Sequence, residues 1–196
     1  TQLSHLAALM QWVRVACERV LDVLNEPVTI SNHPKAKVWD RFQKVLRVEN
    51  VSFSYPETDH PALRDISLEV PKGSRICLMG KSGAGKSTLG ALMIRLYDVS
   101  SGRITVDGLD LRRIRVRDIR RNIAFVLQEP MLFSGTLSSN ILYGNPGATH
   151  DQMVAAATAA EIHDFIASLD DGYETLIGEN GLRLSGGQKQ RISLAR

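Results

Sequence analysis

The spacing of apolar residues changes several times along the chain, and each change marks a predicted element. Over residues 3–24, apolar side chains recur at Leu6, Leu9, Met10, Val13, Ala16, Cys17, Val20, Leu21 and Leu24. That is one broad face at helical spacing. His5, Gln11, Arg14, Glu18, Arg19 and Asp22 supply the polar side, and Asn25-Glu26-Pro27 stops the helix. An amphipathic helix ahead of a domain is expected to pack on a neighbour. Its polar face is not rich in Lys and Arg, which argues against a membrane-surface helix. Residues 26–44 then lose all periodicity. Pro27, Pro34, Ser31, Asn32 and the charged Lys35, Lys37, Asp40 and Arg41 read as a linker.

From residue 45 the period shortens towards two. Residues 45–55 and 63–70 read as strands separated by a turn at Pro56-Glu57-Thr58-Asp59-His60-Pro61. Pro71-Lys72-Gly73 turns into a third apolar run, residues 75–79, predicted as a strand. A helix-compatible run covers residues 87–97, and residues 103–106 read as a strand ending in an Asp107-Gly108 tight turn. Residues 123–127 form a short continuous apolar run, the pattern of a strand buried on both faces. From Thr136 onward the character is helical. Residues 151–169 are Ala-rich, with Met153, Val154, Ala157, Ile162, Phe165, Ile166 and Leu169 available for burial. The pattern predicts an α/β core carrying a helical subdomain, preceded by one amphipathic helix.

Composition narrows this picture modestly. The chain has 196 residues and a net charge of +3, too mild to argue for nucleic acid by itself. Arg112, Arg113, Arg115, Arg117, Arg120 and Arg121 form a basic cluster. No aromatic residue is interleaved, and Asp110 and Asp118 share the segment. A solvated face with salt bridges is therefore expected rather than a nucleic-acid surface. Cys17 and Cys77 form neither a disulfide framework nor a metal spacing, which suits a reducing compartment. Cys77, in an apolar run, is expected to be a small buried hydrophobe. No stretch reaches the roughly 18 apolar residues that a membrane span needs. The chain starts without Met and stops within a helical pattern, so both ends read as cuts in something longer.

Candidate chemistry is concentrated in two places. Gly80-Lys81-Ser82-Gly83-Ala84-Gly85-Lys86-Ser87 fits the phosphate-loop pattern G-x-x-x-x-G-K-[ST], between a predicted strand and a predicted helix. Such a loop gathers unpaired N–H groups at the positive end of a helix dipole. Its glycines let the backbone close around phosphate oxygens. Lys86 can reach the β and γ phosphates as a point charge, and Ser87 can place its hydroxyl on Mg²⁺. The second place is Leu184-Ser185-Gly186-Gly187-Gln188. Ser185 and Gln188 have the spacing of a capping box, followed by a helical run. That makes a second anion-binding helix end in the same chain.

Together these motifs resemble the ATP-binding cassette (ABC) transporters, and the resemblance runs over residues 45–196. Residues 80–88, through Thr88, match the Walker A loop, and residues 184–188 match the signature motif L-S-G-G-Q. Gln128, after the apolar run 123–127, matches the Q-loop glutamine. Tyr55, in Val51-Ser52-Phe53-Ser54-Tyr55-Pro56, matches the aromatic that stacks on adenine. Gly178-Glu179-Asn180-Gly181 resembles the loop that exporters of the family place near the partner's transmembrane helices, with Asn180 where Arg is usual. The run from Leu132 through Ile141 resembles the exporter form of the segment after the Q-loop.

The resemblance implies a P-loop NTPase core, a β-rich ATP-binding subdomain plus a mixed or parallel sheet, and an α-helical subdomain. It implies Mg-ATP as ligand and substrate. Lys86 and Gln128 would act in hydrolysis, with Gln128 and Ser87 on the metal. The ATP site would comprise Tyr55, Gly80, Lys81, Ser82, Gly83, Ala84, Gly85, Lys86, Ser87, Thr88, Gln128, Ser185, Gly186, Gly187 and Gln188. Two such domains would meet head to tail, each signature motif capping the γ-phosphate on the other's Walker A loop. The partners implied are a second nucleotide-binding domain, identical or different, and the transmembrane domain of the same parent. The location implied is the cytoplasmic face of a membrane, with no nucleic acid. Residues 1–25 look like the cytosolic extension of the last transmembrane helix, residues 26–44 like the linker, and residues 45–196 like an incomplete nucleotide-binding domain. The Mg²⁺-binding Asp, the base Glu and the switch His would lie beyond Arg196, so the fragment itself is expected to be inactive. The rival readings are a non-hydrolysing regulatory nucleotide module and a soluble cassette ATPase. The residue after the Mg²⁺-binding Asp separates the first from the leading one, and upstream apolar spans would eliminate the second.

Overall fold

The computed structural model describes residues 2–56, 58, 60–178 and 184–196, with side chains from Met10 onward. The chain divides into two compact units, Thr1–Ala124 and Phe125–Arg196.

The first unit opens with helix α1 (Gln2–Asn25), as the periodicity predicts. From Met10 onward its apolar side chains are exposed all round, with Trp12 at 80%. The unit then builds a sheet from β1 (Val45–Phe53), β2 (Leu63–Pro71), β3 (Ser101–Val106) and β4 (Leu109–Asp110), in the order β2-β1-β3-β4. Every pairing in it is antiparallel. Alternation, reset by an irregularity between Val48 and Val51 where Asn50 has φ 48°, gives β1 one buried row, with Val48, Val51 and Phe53 joined by Ile104 and Val106 of β3. Leu89 and Leu92 of α2 (Lys86–Met93) belong to the same core, with Ile119 of α3 (Val116–Asn122). Asp107 and Gly108 both have positive φ, 51° and 81°, the signature of a type I′ hairpin between β3 and β4.

The segment read as an unstructured linker is anchored. Lys37 forms a parallel bridge with Ile114, donating to the Arg113 carbonyl at 2.7 Å and accepting from Arg115 N at 3.1 Å. Trp39 is buried, and its N–H donates to Asp118 Oδ2 at 3.2 Å. Asn32 Oδ1 accepts from Val116 N at 2.9 Å. These are backbone anchors plus one large side chain, so no hydrophobic period betrays them. They also claim Asp118 for the backbone. Among the described residues, the basic cluster's only ion pair joins Arg112 to Asp110, at 2.6 Å. The expected web of salt bridges is otherwise absent there. Arg113 instead meets the His33 ring, and Arg120 donates to the Arg95 carbonyl.

Further sequence expectations fail here. Residues 75–79 and 123–127, predicted as strands, pair with no neighbour among the described residues. An extended run becomes a strand only when its N–H and C=O groups meet a ladder. Without one, these apolar side chains other than the core-packed Ile123 stay wet, up to Met79 at 89% exposed. Cys77, expected to be buried, is exposed for the same reason. The helix predicted over 87–97 stops at Met93, because Arg95 takes a left-handed conformation (φ 51°). That turn buries the Arg95 side chain against Asp98, Nε to Oδ1 2.8 Å.

The second unit is helical: α4 (Leu137–Leu142), α5 (His150–Ala159), α6 (His163–Ala167) and α7 (Gly186–Ala195). A two-residue ladder pairs β5 (Gly135–Thr136) with β6 (Leu176–Ile177), where no strand was anticipated. Leu137, Ile141, Met153, Ala157, Ile162, Ile166 and Ile192 form its core. The single helix predicted over 151–169 is two, broken where Glu161 has φ 55°. The break turns both Ala157 and Ile162 into the core. Buried Asn140 ties the preceding loop to α4, accepting from Phe133 N and donating to the Phe133 carbonyl, both at 2.8 Å.

Candidate nucleotide site

The phosphate loop leaves residue 79 and enters α2 through two left-handed glycines, Gly83 (φ 81°) and Gly85 (φ 83°). Gly85 is the N-cap of α2. A Cβ there would lie 2.6 Å from both the Ala62 carbonyl oxygen and Leu63 Cδ2, so glycine is required by dihedral and by space. Lys81, Ser82, Ala84 and Ser87 are exposed, as is Gly80 at the loop's start. Lys86 folds back over the loop, and its Nζ donates to the carbonyls of Gly80 (2.9 Å) and Lys81 (2.8 Å). The ammonium thus sits over the loop mouth on two neutral acceptors. Phosphate oxygens would replace those bonds with stronger, charge-assisted ones. The opening N–H groups of α2 face the same loop, at the positive helix end.

Tyr55 lies just past β1, part-exposed, within a group of three aromatic rings. Its centroid is 4.9 Å from Phe53 and 5.3 Å from Tyr97, both edge-on. Its hydroxyl lies 3.0 Å from Thr88 Oγ1. Thr88 is the phosphate-loop residue whose side chain is buried, at 7% exposed. Sequence reasoning marked Tyr55 and Thr88 separately and missed their contact. It also missed Phe53 and Tyr97 as ring supports, since nothing in the spacing of residues 53, 55, 88 and 97 announces a cluster.

In the second unit, the helix end at Ser185 has the predicted geometry. Ser185 Oγ accepts from Gln188 N at 3.3 Å, and Gln188 Oε1 accepts from Ser185 N at 2.8 Å, a complete capping box. The cap uses Ser185 as an acceptor and leaves its O–H to donate elsewhere. A Cβ on Gly186 or Gly187 would meet nothing within 4 Å. Gln128 is exposed, and its carbonyl accepts from Gln190 Nε2 at 3.4 Å. An open cleft of about 430 Å³ is lined by Gln128, Glu129, Pro130, Met131, Gly186 and Lys189, among others, so the fold brings the glutamine loop to the start of α7. The same T-x-x-Q spacing caps α5, where Thr149 and Gln152 form a second full box that the sequence reading passed over. Of the loop at 178–181, Glu179, Asn180 and Gly181 lie outside the described residues.

The ABC transporter profile matches residues 63–196, more than half of the chain. The chain belongs to the ABC transporter family. It is 44% identical over 191 residues to the multidrug resistance protein pgp-1 of Caenorhabditis elegans, covering 96% of this chain and 14% of that one. It is 43% identical over 195 residues to the ATP-dependent lipid A-core flippase of Chromobacterium violaceum, covering 100% of this chain and 33% of that one. Among solved structures, a bacterial Atm1-family ABC exporter with ATP bound superposes with a TM-score of 0.87 at 37% identity, over 94% of this chain and 32% of that one. The family membership and this superposition establish the P-loop NTPase fold of the nucleotide-binding domain. The chain spans a third or less of the length of these relatives.

Proposed function

We propose that this chain is the ATP-binding and ATP-hydrolysing part of an exporter. In this reading, ATP-driven pairing of two such domains on the cytoplasmic face of a membrane drives transport. The observation that carries the ATP site is the phosphate loop. Two left-handed glycines feed α2, Gly85 has no room for a side chain, and Lys86 hangs over the opening on bonds it can exchange.

Each residue's contribution follows from its place. Tyr55 offers the adenine a flat, fixed ring. The loop amides and Lys86 hold the triphosphate and offset its charge. The Ser87 hydroxyl, exposed in the first turn of α2, and the Gln128 amide oxygen, exposed on its loop, suit the hard oxygen-ligand preference of Mg²⁺. Bound there with the phosphates, the ion would neutralise charge between the β and γ oxygens. Gln128 can also accept from a water and orient it for attack.

The paired-domain reading rests on Gly186 and Gly187. Glycine is a poor helix former, and among the described residues nothing lies within 4 Å of where a Cβ on either would sit. An incoming body that approaches the α7 end closely would need them. A γ-phosphate held on a second copy's loop fits that role. The exposed face of α1 and the anchored segment 31–45 fit a helix arriving from a transmembrane domain of the same parent. No helix among the described residues is long and apolar enough to cross a membrane. The unpaired runs 75–79 and 123–127 fit a sheet completed by strands from outside these residues.

The test is ATP hydrolysis by the full-length protein. Lys86→Ala should lower kcat at least about a hundredfold, the scale of losing one charge-stabilising contact in the transition state. Turnover unchanged in Lys86→Ala would refute the assignment.

A further inference from the structure

Two contacts bind the aromatic loop after β1 to the phosphate loop, and neither belongs to a motif. Ala62 closes the far end of the aromatic loop by donating to the Phe53 carbonyl at 2.8 Å. Its own carbonyl sits where only a glycine at position 85 allows it, 2.6 Å from a notional Cβ. At the near end, the Tyr55 hydroxyl is 3.0 Å from Thr88 Oγ1. A threonine inside a helix commonly returns its hydroxyl to a carbonyl one turn back. Thr88 directs it to Tyr55 instead, from a position that excludes water.

The ring has little remaining freedom. Phe53, itself buried, approaches at an interplanar angle of 80°, and Tyr97 approaches at 88°. Edge contacts of this kind restrict tilt and ring flips but leave small slides open. A hydrogen bond at the para position is what fixes those.

We infer that Thr88 is a positioning residue for the base: its hydroxyl locks the Tyr55 ring in register with the phosphate loop. The inference rests on the reading of Tyr55 as the adenine platform. The distance between base-binding surface and phosphate-binding amides is then set by this hydroxyl pair. Adenine and triphosphate are recognised as one rigid ligand, and losing the Tyr55 hydroxyl should weaken binding of the nucleoside part while sparing the phosphates.

The experiment uses the full-length protein with two probes, ATP and inorganic tripolyphosphate, each measured as a dissociation constant. Tyr55→Phe keeps the ring and removes only its hydroxyl. Thr88→Val keeps the shape and removes its partner, and Thr88→Ser restores a hydroxyl. A neutral hydrogen bond predicts that Tyr55→Phe and Thr88→Val each weaken ATP by about two- to tenfold. The double variant should be no weaker than either single one. Thr88→Ser should bind ATP more tightly than Thr88→Val, and tripolyphosphate should be unaffected by Tyr55→Phe. Additive losses, tighter ATP binding in either single variant, or equal weakening of both probes by Tyr55→Phe would overturn the inference. Should Thr88→Val fail to fold, Tyr55→Phe against the two probes decides alone. A parent protein that binds neither probe would overturn the nucleotide reading, and this inference with it.

Discussion

Asp107 shows how much one side chain organises here. Its carboxylate accepts from the backbone of Gln43 (2.9 Å), Lys44 (2.6 Å) and Val45 (3.0 Å), fixing where the anchored segment enters β1. Burial works against the charged form, but the donors from Gln43, Val45 and Lys44 outweigh it and hold the pKa below the usual carboxylate range. The stability these bonds contribute is therefore complete above the unfolded value of about 3.9 and is lost as pH falls through the lower folded value. Protection of the Gln43, Lys44 and Val45 amides, relative to their intrinsic exchange at each pH, should fall only in that acid window. Asp107→Asn puts an NH₂ against an N–H, and should cost about 1–3 kcal/mol in denaturant unfolding at neutral pH. At this scale the sequence was legible where a residue sits in a spaced motif. Lys86, Gly85 and Ser185 could be placed from it, because each role is defined by near neighbours. Asp107 could be read as a turn residue, but not as an anchor for a segment more than sixty positions away.

Elements divide along the same line. Helix α7 was legible to its cap, because S-x-x-Q is a local code for a helix start. Ser185→Ala should remove that cap and destabilise the second unit by about 0.5–2 kcal/mol. Hydrogen exchange should place the loss in the first turn of α7. Thr149→Ala should do the same at α5 and leave ATP hydrolysis intact, which separates capping from the chemistry assigned to Ser185. The strands β1 and β2 were legible from alternation, and the turn after β3 from Asp107-Gly108; the short strand β4 that makes it a hairpin was not. The runs 75–79 and 123–127 were not, because an apolar run signals only the capacity to pair. The early end of α2 at Arg95 and the break at Glu161 escaped as well. Both turn on a left-handed non-glycine residue, Arg95 or Glu161, which helix propensity does not register.

At the scale of the molecule, family and fold were readable because two short motifs, about a hundred positions apart, occur in one chain. The antiparallel sheet with α2 and the helical unit with α7 each present one capped or glycine-lined helix start. The central claim is that these two starts serve one ATP between two copies rather than within one. Trans-complementation tests it most directly. Full-length Lys86→Ala and Ser185→Arg proteins are each assayed for ATP hydrolysis, then co-expressed and assayed as a mixed assembly. Every cis arrangement in the mixture carries one defect. One trans arrangement is intact, the phosphate loop of the Ser185→Arg chain facing the signature helix of the Lys86→Ala chain. The account predicts near-background turnover for each variant alone and recovered turnover in the mixed assembly; a mixed assembly as inactive as its parts would contradict it.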